Sequence, residues 1–468
     1  MKVLLIQPDY QRKAPSPEEL SQHLLPSYPL ILLSEILANA GHQAQVLDGW
    51  SNWMLLGSGS ENDLGLGAQK LLEKEDFDLA GISVYTPLRK EAVELARLIK
   101  KKSPKTKIVF GGPHPSRLWH SMLSAYQDDL DFILKGGAEQ SFAQLADNLE
   151  GKGTARFRIP GLAWRSETEG IRSNSNPVIN LDLSSQPAVK FNDYFAKAGS
   201  DRIDRAYIVT SRGCKRWCNY CSQLWKKALY HPPDRAVEEA RRLIQDFQAS
   251  ELVIYDDCLG MNPAHSAEIF QKISRFNHSS RLIGISHFQF LEKAWLEHFK
   301  NAGGYALCIG LGSGSGKLRR KMNNYIEDES ICQGVELIRS LGIKLGIYIM
   351  IGFPSETPED LAKTRELLQM IAPEQVIATV YDLKPGDILI EFGIKAEMLR
   401  ETDYLNLGRR LINYLTEEEM KEAAGTAEFF ETRFTKEILL KDSDPAWWIL
   451  GLDQETRERM KKKAEAGI

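Results

Sequence analysis

The feature that most constrains this sequence is a repeated alternation of short apolar runs with amphipathic helical patterns. Parallel strands need a crossover connection, and that connection is usually a helix, so the alternation predicts an α/β fold. In the first 150 residues it predicts a doubly wound parallel sheet. The predicted strands are residues 2–7, 44–49, 78–85, 107–112 and 131–137.

The alternation resumes after residue 205 and predicts a second α/β unit. Six strand patterns, each followed by a helical pattern, predict a partial (β/α)6 barrel, whose active site is expected at the carboxyl ends of its strands. These strands are residues 205–211, 251–257, 281–286, 305–312, 344–353 and 375–383. We therefore divide the chain into residues 1–150, a connector 151–200, a barrel 201–385 and a mainly helical C-terminal region 386–468 that can shape the substrate pocket.

The bulk composition narrows the possible partners and location. The formal net charge of −4 shows no basic excess, so we expect no nucleic-acid partner. The opening "MKVLLIQPDY" is too short for a signal peptide, and no apolar run approaches the ~18–20 residues of a transmembrane segment. With six cysteines in so long a chain, we expect a reducing, cytoplasmic location.

Three cysteines follow the spacing C-x-x-x-C-x-x-C at Cys214, Cys218 and Cys221, directly after the first barrel strand. Structural zinc sites usually show paired cysteine or histidine elements, and the chain has no second pair. Zinc completed by a distant ligand such as His231, or three inert thiols, stays an alternative. We favour an iron–sulfur cluster, because a cube held by three thiolates leaves one iron open for a ligand.

The cysteine loop resembles the cluster motif of the radical S-adenosylmethionine (SAM) superfamily. The segments "IGLGSGS" (309–315), "IMIGFPSET" (349–357) and "LKPGD" (383–387) resemble later strand ends of that family. The resemblance implies a 4Fe–4S cluster on the three cysteines, with SAM bound at the open iron. It implies a SAM shell formed by Tyr220, Gly310, Ser313, Ser315, Gly352, Pro354 and Glu356.

Two positions depart from the family pattern. Relatives usually carry glutamate where this chain has Gly312, and the arginine often found on the third strand is replaced by "SHFQF" (286–290). The missing carboxylate usually belongs to the polar shell around SAM. We therefore expect Ser313, Ser315 or Glu356 to substitute for it.

The strands of the first unit end in loops rich in glycine, where backbone N–H groups can approach a ligand. Taken alone, these loops leave the ligand open. Together with "YPLILLSEILANAGHQAQVLDG" (28–49), they resemble the Rossmann-like cobalamin-binding domain fused to many radical SAM enzymes. The resemblance implies a cobalamin site at Gln7, Pro8, Ser83, Tyr85, Gly111, Gly112, His114, Gly136, Gly137 and Glu139.

The D-x-H-x-x-G signature of histidine-ligated cobalamin domains is absent. We therefore expect cobalamin with its own base displaced and no protein histidine on cobalt. His42, at the end of a predicted helix, is interpreted as structural.

The two resemblances imply a cobalamin-dependent radical SAM methyltransferase acting on an unactivated carbon of a small molecule or peptide, with flavodoxin or ferredoxin as reductant. Tyr220, His287 and Asp256 are the candidate catalytic residues; for the last two a satisfied histidine and a loop cap are the structural alternatives. A cobalamin-dependent cyclase or rearrangement enzyme is the first functional alternative. A catalytically degenerate cofactor-binding protein is the second.

Overall fold

The first sheet carries the parallel, doubly wound core predicted from the sequence. In this computed structural model the described residues are 1–8, 26–56, 63–175, 182–191, 194, 203, 205–221, 223–381, 388–389, 394–395, 421–427 and 430. The five parallel strands pair in the order β2-β1-β3-β4-β5. They are β1 (Lys2–Ile6), β2 (Gln43–Leu47), β3 (Leu79–Ser83), β4 (Lys107–Gly111) and β5 (Phe132–Leu134). After β2 pairs on one side of β1, the chain crosses to the other side and adds β3, so β1 and β3 flank the switch point of the topology. Open α/β sheets bind ligands at the carboxyl ends of the strands at such a point.

Helices cover both faces of these strands, and β1, β3, β4 and β5 are mostly buried, whereas the edge strand β2 is partly exposed. This accounts for the continuous apolar runs in the sequence, because parallel strands lie between two helical layers. The helices are α1 (Tyr28–Asn39), α2 (Gly49–Leu56), α3 (Leu64–Lys74), α4 (Arg89–Lys102), α5 (Pro113–Ala125) and α6 (Glu139–Leu149).

A hairpin extends the same sheet beyond the parallel strands. β6 (Leu162–Ser166) pairs antiparallel with β5, and β7 (Gly170–Ser173) pairs with β6. Phe132 lies opposite Trp164 in this pairing, and Leu162 is fully buried. The first part of the segment that the sequence indicated as a connector therefore completes the first sheet.

The second sheet is an open barrel of six parallel strands, as predicted. Its strands pair in the order β15-β14-β13-β12-β11-β8. They are β8 (Arg205–Ile208), β11 (Glu251–Leu259), β12 (Arg281–Ser286), β13 (Gly304–Gly312), β14 (Lys344–Ile351) and β15 (Gln375–Val380). A short antiparallel pair, β9 (Ser211–Arg212) and β10 (Leu229–Tyr230), brackets the cysteine loop.

Helices pack on the outer face of this second sheet. They are α7 (Pro233–Arg241), α8 (Pro263–Ile273), α9 (Lys293–Asn301), α10 (Gly316–Lys321), α11 (Asp328–Ser340) and α12 (Pro358–Ile371). α12 begins with a capping box, in which Thr357 and Asp360 exchange side-chain and backbone hydrogen bonds. No helix among the described residues is long and apolar enough to cross a membrane.

Little of the C-terminal region falls within the described residues. A short hairpin, β16 (Ile388–Leu389) with β17 (Ile394–Lys395), and a helical segment at residues 421–427 are seen. The segment "LKPGD" and most of the helical region predicted at 386–468 lie outside the described residues.

A buried polar network joins the two sheets. The backbone N–H of Tyr28, at the start of α1, donates to Tyr207 Oη at 2.7 Å. The Tyr28 hydroxyl donates to Glu239 at 2.9 Å, and Glu239 also pairs with Arg235 at 3.0 Å and accepts from Val189 N at 2.8 Å. Burial raises the pKa of Glu239 to about 7. Each polar group in this interface therefore has a partner, which fixes the two sheets against each other.

Removing the Glu239 charge should destabilise the protein. At pH 8 the carboxylate is ionised, and Glu239→Gln leaves the buried Arg235 without its charge partner, so we expect a loss of about 3 kcal/mol in the free energy of unfolding. Glu238→Gln is the matched control, because Glu238 lies next in the chain in partly exposed pairs with Arg241 and Arg242. Thermal melts of both variants measure the difference, and equal small losses would contradict the network's role.

Candidate functional site

The cysteine loop leaves the carboxyl end of β8, at the mouth of the barrel. Cys214, Cys218 and Cys221 are all half-buried. Gly213 opens the loop with φ +80°, and a Cβ there would lie 2.2 Å from the carbonyl oxygen of Lys227. Only glycine fits this turn, so the residue before the first cysteine is fixed by geometry.

Asp256, near the end of β11, anchors the start of this loop. It is 4% exposed, and its oxygens accept four hydrogen bonds, from the N–H groups and hydroxyls of Thr210 and Ser211 at 2.6–3.0 Å. Burial raises its pKa, and these bonds oppose that shift. Both oxygens are occupied, so the structure gives Asp256 a positioning role rather than the catalytic one considered from the sequence.

Asp257 anchors the same loop at two further points. It accepts from the backbone N–H of Gly213 at 2.6 Å and from the side-chain amide of Gln223. These bonds hold the loop on both sides of the cysteines, at Gly213 directly before Cys214 and at Gln223 two residues after Cys221. The Asp256–Asp257 pair therefore clamps the loop to the neighbouring strand.

The spacing of the thiols does not suit a single metal ion. Two ligands of one zinc ion lie at most ~4.6 Å apart, since each Zn–S bond is about 2.3 Å. Among the described residues, three ligand atoms come within 4.8 Å of one another only at His42, Asp147 and Glu150. At least one pair of the three cysteine sulfurs is therefore more than 4.8 Å apart, which is compatible with a cluster in which each thiolate binds a different iron.

His231, the histidine considered for zinc, faces elsewhere. It is buried beside Arg235, and burial and that guanidinium lower its pKa to about 2. The thiol of Cys258, by contrast, lies beside Cys214, and their hydrogen bond is the main reason that the pKa of Cys214 is lowered to about 7. Nothing in the spacing of the cysteines indicates this contact between Cys258 and the loop.

An open space suited to SAM lies beside the loop. Gly310, on β13, has no atom within 4 Å of where a Cβ would stand. At Gly312, with φ +79°, a Cβ would meet Tyr220 Oη at 4.0 Å and Met322 Sδ at 3.0 Å. Tyr220 is half-buried and packs against the cluster that contains Phe353. Gly312 and Tyr220 thus lie near each other next to the cysteines, and Gly310 leaves open space two residues earlier on the same strand; we call these three residues the cradle.

Ser313 and Ser315 do not face this cradle. Both are buried, and the hydroxyl of Ser313 bonds Thr364 Oγ1 at 3.2 Å. The hydroxyl of Ser315 donates to Asp360 at 2.5 Å and caps the start of α10. Their hydroxyls serve the packing of α12, so neither is free to replace the carboxylate missing at position 312.

Glu356 retains the capacity to bind a ligand. Its Oε2 accepts from the N–H of Gly352 at 2.5 Å, while Oε1 is buried without a hydrogen-bond partner. Burial raises the pKa of Glu356 to about 7. Pro354, in the turn between these two residues, is buried. An unpartnered buried oxygen is costly, which points to a donor from a ligand.

His287, at the end of β12, is poorly suited to act as a base. Its Nδ1 accepts from the N–H of Gln289 at 3.1 Å, so Nε2 carries the hydrogen of the neutral ring. Burial, and next the charge of Arg216, lower its pKa to about 3. Nε2 is buried with no hydrogen-bond partner in normal geometry. The structure therefore indicates a neutral histidine that caps a turn and can only donate at Nε2.

The glycine-rich loops of the first unit lie together at the carboxyl edge of its sheet. Gly112 has φ +99°, and a Cβ there would approach the Val84 carbonyl to 2.9 Å. Gly136, with φ +74°, donates its N–H to Ser116 Oγ at 2.9 Å. The neighbouring Gly111 has only a distant contact at its Cβ position, 3.9 Å from a backbone oxygen. The loop after β4 is therefore closely packed at Gly112 and open at Gly111, at the edge of the sheet where β1 and β3 also end.

The other predicted cobalamin residues have varied settings at this edge. Gln7 is half-buried, and its side-chain amide donates to the carbonyl of Pro8, which is buried. Ser83, the last residue of β3, and Gly137 are half-buried. These positions border the edge.

Two residues predicted to bind cobalamin have other side-chain partners. His114 is fully buried, and its Nδ1 lies 3.1 Å from Thr86 Oγ1. Glu139 forms a buried ion pair with Arg212, which immediately precedes Gly213. His114 therefore joins two loops of the first unit, and Glu139 joins that unit to the cysteine loop.

Tyrosines line the cleft between the two units. Tyr85, after β3, is 43% exposed, yet partial desolvation raises its pKa to about 12, with the nearby Tyr255 and Asp257 contributing. Tyr255, on β11, is 56% exposed and lies 5.3 Å from the ring of Tyr207. Both units thus present aromatic surface to one shared space.

His42 lies at the opposite edge of the first sheet, just before β2. Its Nδ1 is 3.2 Å from the Met1 amine, and its Nε2 is 3.3 Å from Asp147. This position is remote from the glycine loops, in accord with its interpretation as structural.

Comparison with known proteins agrees with this geometry. Residues 208–368 match the Radical SAM superfamily, and residues 22–146 match the B12 binding domain. An uncharacterized methyltransferase from Pyrococcus horikoshii is 25% identical over 338 residues, covering 70% of this chain and 72% of that protein.

Two solved structures share the fold. The radical SAM methyltransferase TsrM from Kitasatospora setae, solved with tryptophan substrate and a SAM analogue, has a TM-score of 0.67 at 19% identity, covering 82% of this chain and 74% of that chain. The cobalamin-dependent radical SAM enzyme OxsB, solved with aqua-cobalamin, has a TM-score of 0.67 at 15% identity, and the match covers 99% of this chain and 71% of that chain.

The matched domains account for the groups that the site fits. The thiol loop suits a 4Fe–4S cluster, the glycine cradle suits SAM, and the loops of the first sheet suit cobalamin; these are the cofactors of the two families. The chain belongs to the radical SAM enzymes that carry a B12-binding domain.

Proposed function

We propose that the protein is a cobalamin-dependent radical SAM methyltransferase that methylates an unactivated carbon of a small-molecule substrate. The observation that carries the proposal is the direct link between the two cofactor regions. Glu139, at the end of a glycine-rich loop, pairs with Arg212 two residues before Cys214. The methyltransferase relative and the structure solved with a tryptophan substrate support the reaction and the substrate class.

When bound, the cluster with SAM supplies one-electron hydrogen abstraction, and cobalamin supplies a transferable methyl group. In the proposal Cys214, Cys218 and Cys221 ligate the cluster, and the Asp256–Asp257 pair holds their loop in one conformation. Such fixed ligands avoid reorganisation of the site at each turnover.

The SAM shell in this proposal is smaller than the sequence predicted. Tyr220, Gly310 and Gly312 form the cradle, and the Gly352–Glu356 turn closes its edge. Glu356 supplies the buried acceptor that compensates for the glycine at position 312. Ser313 and Ser315 support the cradle by fixing α10 and α12.

The cobalamin in this proposal lies between the units. Gln7, Pro8, Ser83, Tyr85 and the glycine-rich loops contact it, chiefly through backbone groups. The half-exposed rings of Tyr85 and Tyr255 exclude water from the cleft, which protects reactive species from side reactions.

An assay without the natural substrate can test the proposed reaction. Reconstituted protein with cobalamin, SAM carrying a labelled methyl group and a low-potential reductant should yield S-adenosylhomocysteine, 5′-deoxyadenosine and label in the cobalamin fraction. Cys218→Ala should lower 5′-deoxyadenosine by more than about 100-fold, since catalysis depends on a complete cluster. Cys332→Ala, on α11, is the control. Formation of 5′-deoxyadenosine without any methyl transfer would contradict methylation.

Loosening the aspartate clamp should reduce cluster retention. In Asp256→Asn, one acceptor oxygen becomes a donor that faces the buried N–H and hydroxyl groups of Thr210 and Ser211. We expect at least a twofold loss of iron per chain after reconstitution, with the circular dichroism spectrum retained. Asp234→Asn changes an exposed carboxylate of the same barrel and should keep its iron. Full iron loading in both variants would show that cluster retention does not depend on the clamp.

Glu356→Gln should weaken SAM binding and stabilise the free protein. The pKa of Glu356 is about 7 in the folded state and ordinarily 4.5, so between these pH values the folded state binds more protons than the unfolded state. The stability of the wild-type protein therefore falls as the pH rises from 4.5 to 7. We expect Glu356→Gln to raise the free energy of unfolding by up to about 3 kcal/mol at pH 8 and by little at pH 4.5. Its SAM affinity, measured by equilibrium dialysis, should fall about tenfold at pH 8.

Glu359→Gln, at an exposed first-turn residue of α12, the helix that begins just after Glu356, is the control for both measurements. Wild-type SAM affinity should also fall as pH drops from 8 to 6, because the acceptor becomes protonated, whereas the Gln variant should lose this dependence. A Glu356→Gln variant that binds SAM with wild-type affinity at pH 8 would exclude a contact between Glu356 and SAM.

A further inference from the structure

An exposed aromatic side chain interrupts the cysteine loop. Trp217 lies between Cys214 and Cys218 and is 62% exposed. Its carbonyl accepts from Asn323 Nδ2 at 2.6 Å, so its backbone is held. Lys226 Nζ lies 5.9 Å from the ring centroid. A fixed, exposed indole next to cationic groups is characteristic of interface cores, where tryptophan is enriched.

Three chain segments meet around this tryptophan. Cys214 N donates to Trp225 O at 3.0 Å, which joins residues 213–217 to residues 225–227. Asn219 donates through its N–H to Met322 O at 2.9 Å and through Nδ2 to Lys321 O at 2.7 Å, which joins the loop to residues 316–323. The three segments form one continuous surface, which we call the basic face.

The charge of the basic face is opposite to that of the whole chain. Its three segments contain eight basic residues and no acidic residue, although the formal net charge of the chain is −4. Arg319 is buried and pairs with Asp328, and Arg216 contacts Gln289. The other six are Lys215, Lys226, Lys227, Lys317, Arg320 and Lys321. Such a local excess attracts an acidic partner and speeds its association.

We propose that the basic face docks a small acidic one-electron carrier protein, such as a flavodoxin or ferredoxin, that reduces the cluster. The inference rests on the cluster assignment made under the proposed function. One electron passes from the reduced carrier to the oxidised cluster, so the carrier is oxidised and the cluster reduced by one electron each. The face contains one proposed cluster ligand, Cys214, and borders a second, Cys218, which places a docked carrier next to the acceptor.

A nucleic acid is the rival occupant of a basic surface with an exposed aromatic ring. The position of the face favours the carrier. Trp217, Lys215 and Lys227 of the face are exposed beside the proposed ligand Cys214. A carrier needs proximity to the cluster alone, and the basic face supplies it.

The test compares two electron donors on cluster-loaded protein. Lys215→Glu with Lys227→Glu reverses two exposed charges, and Lys101→Glu with Lys102→Glu does so on the exposed end of α4 as the control. Anaerobic stopped-flow measures bleaching of the cluster by reduced flavodoxin and by photoreduced 5-deazaflavin, a small uncharged donor. We expect an about tenfold slower reaction with flavodoxin at low salt for the first variant only, and unchanged rates with deazaflavin.

The wild-type rate with flavodoxin should also fall as ionic strength rises, because salt screens exposed charges. Equal flavodoxin rates in both variants, or a loss shared by both donors, would overturn the docking proposal while leaving the cluster in place. Tight binding of single-stranded RNA that competes with flavodoxin would assign the face to nucleic acid instead. A wild-type protein with no cluster to bleach would overturn the proposed function as well.

Discussion

The candidate site depends on the buried carboxylate of Asp256, on β11, which holds the cysteine loop that leaves the neighbouring strand β8. Asp256 receives four hydrogen bonds from Thr210 and Ser211, and Asp257 receives the N–H of Gly213. Burying a carboxylate is costly unless its oxygens are satisfied, and here each one is. The loop therefore has little freedom to leave β11, and its thiols keep their positions before any cluster is inserted.

The same loop joins the two halves of the molecule. Arg212 reaches Glu139 across the cleft, and Tyr28 of α1 bonds both Tyr207 and Glu239 of the barrel. Buried ion pairs contribute little net stability but specify one arrangement of their elements when they are fully paired. The distance between the cluster region and the glycine loops is thus fixed by contacts that are independent of the cofactors. This fits a reaction in which two cofactors serve one substrate.

Periodicity in the sequence was enough to predict both sheets, because parallel strands buried between helices leave continuous apolar runs. The cysteine spacing also indicated the loop and its place after β8. The partners of single polar side chains were not predictable: Ser315 bonds Asp360 and Glu139 bonds Arg212, far apart in the sequence. The same limit left the catalytic and loop-cap roles of Asp256 both open, since its four donors, on Thr210 and Ser211, lie more than 40 residues away in the sequence.

Mössbauer spectroscopy of protein reconstituted with iron-57 can distinguish an iron that binds SAM from the irons held by cysteine. We expect one 4Fe–4S cluster per chain, in which a single iron changes its isomer shift when SAM is added, because three irons are held by cysteine and one is open. Four irons that stay equivalent with SAM, or protein that retains no iron after reconstitution, would contradict the claim that the clamped loop presents an open iron beside the cobalamin domain.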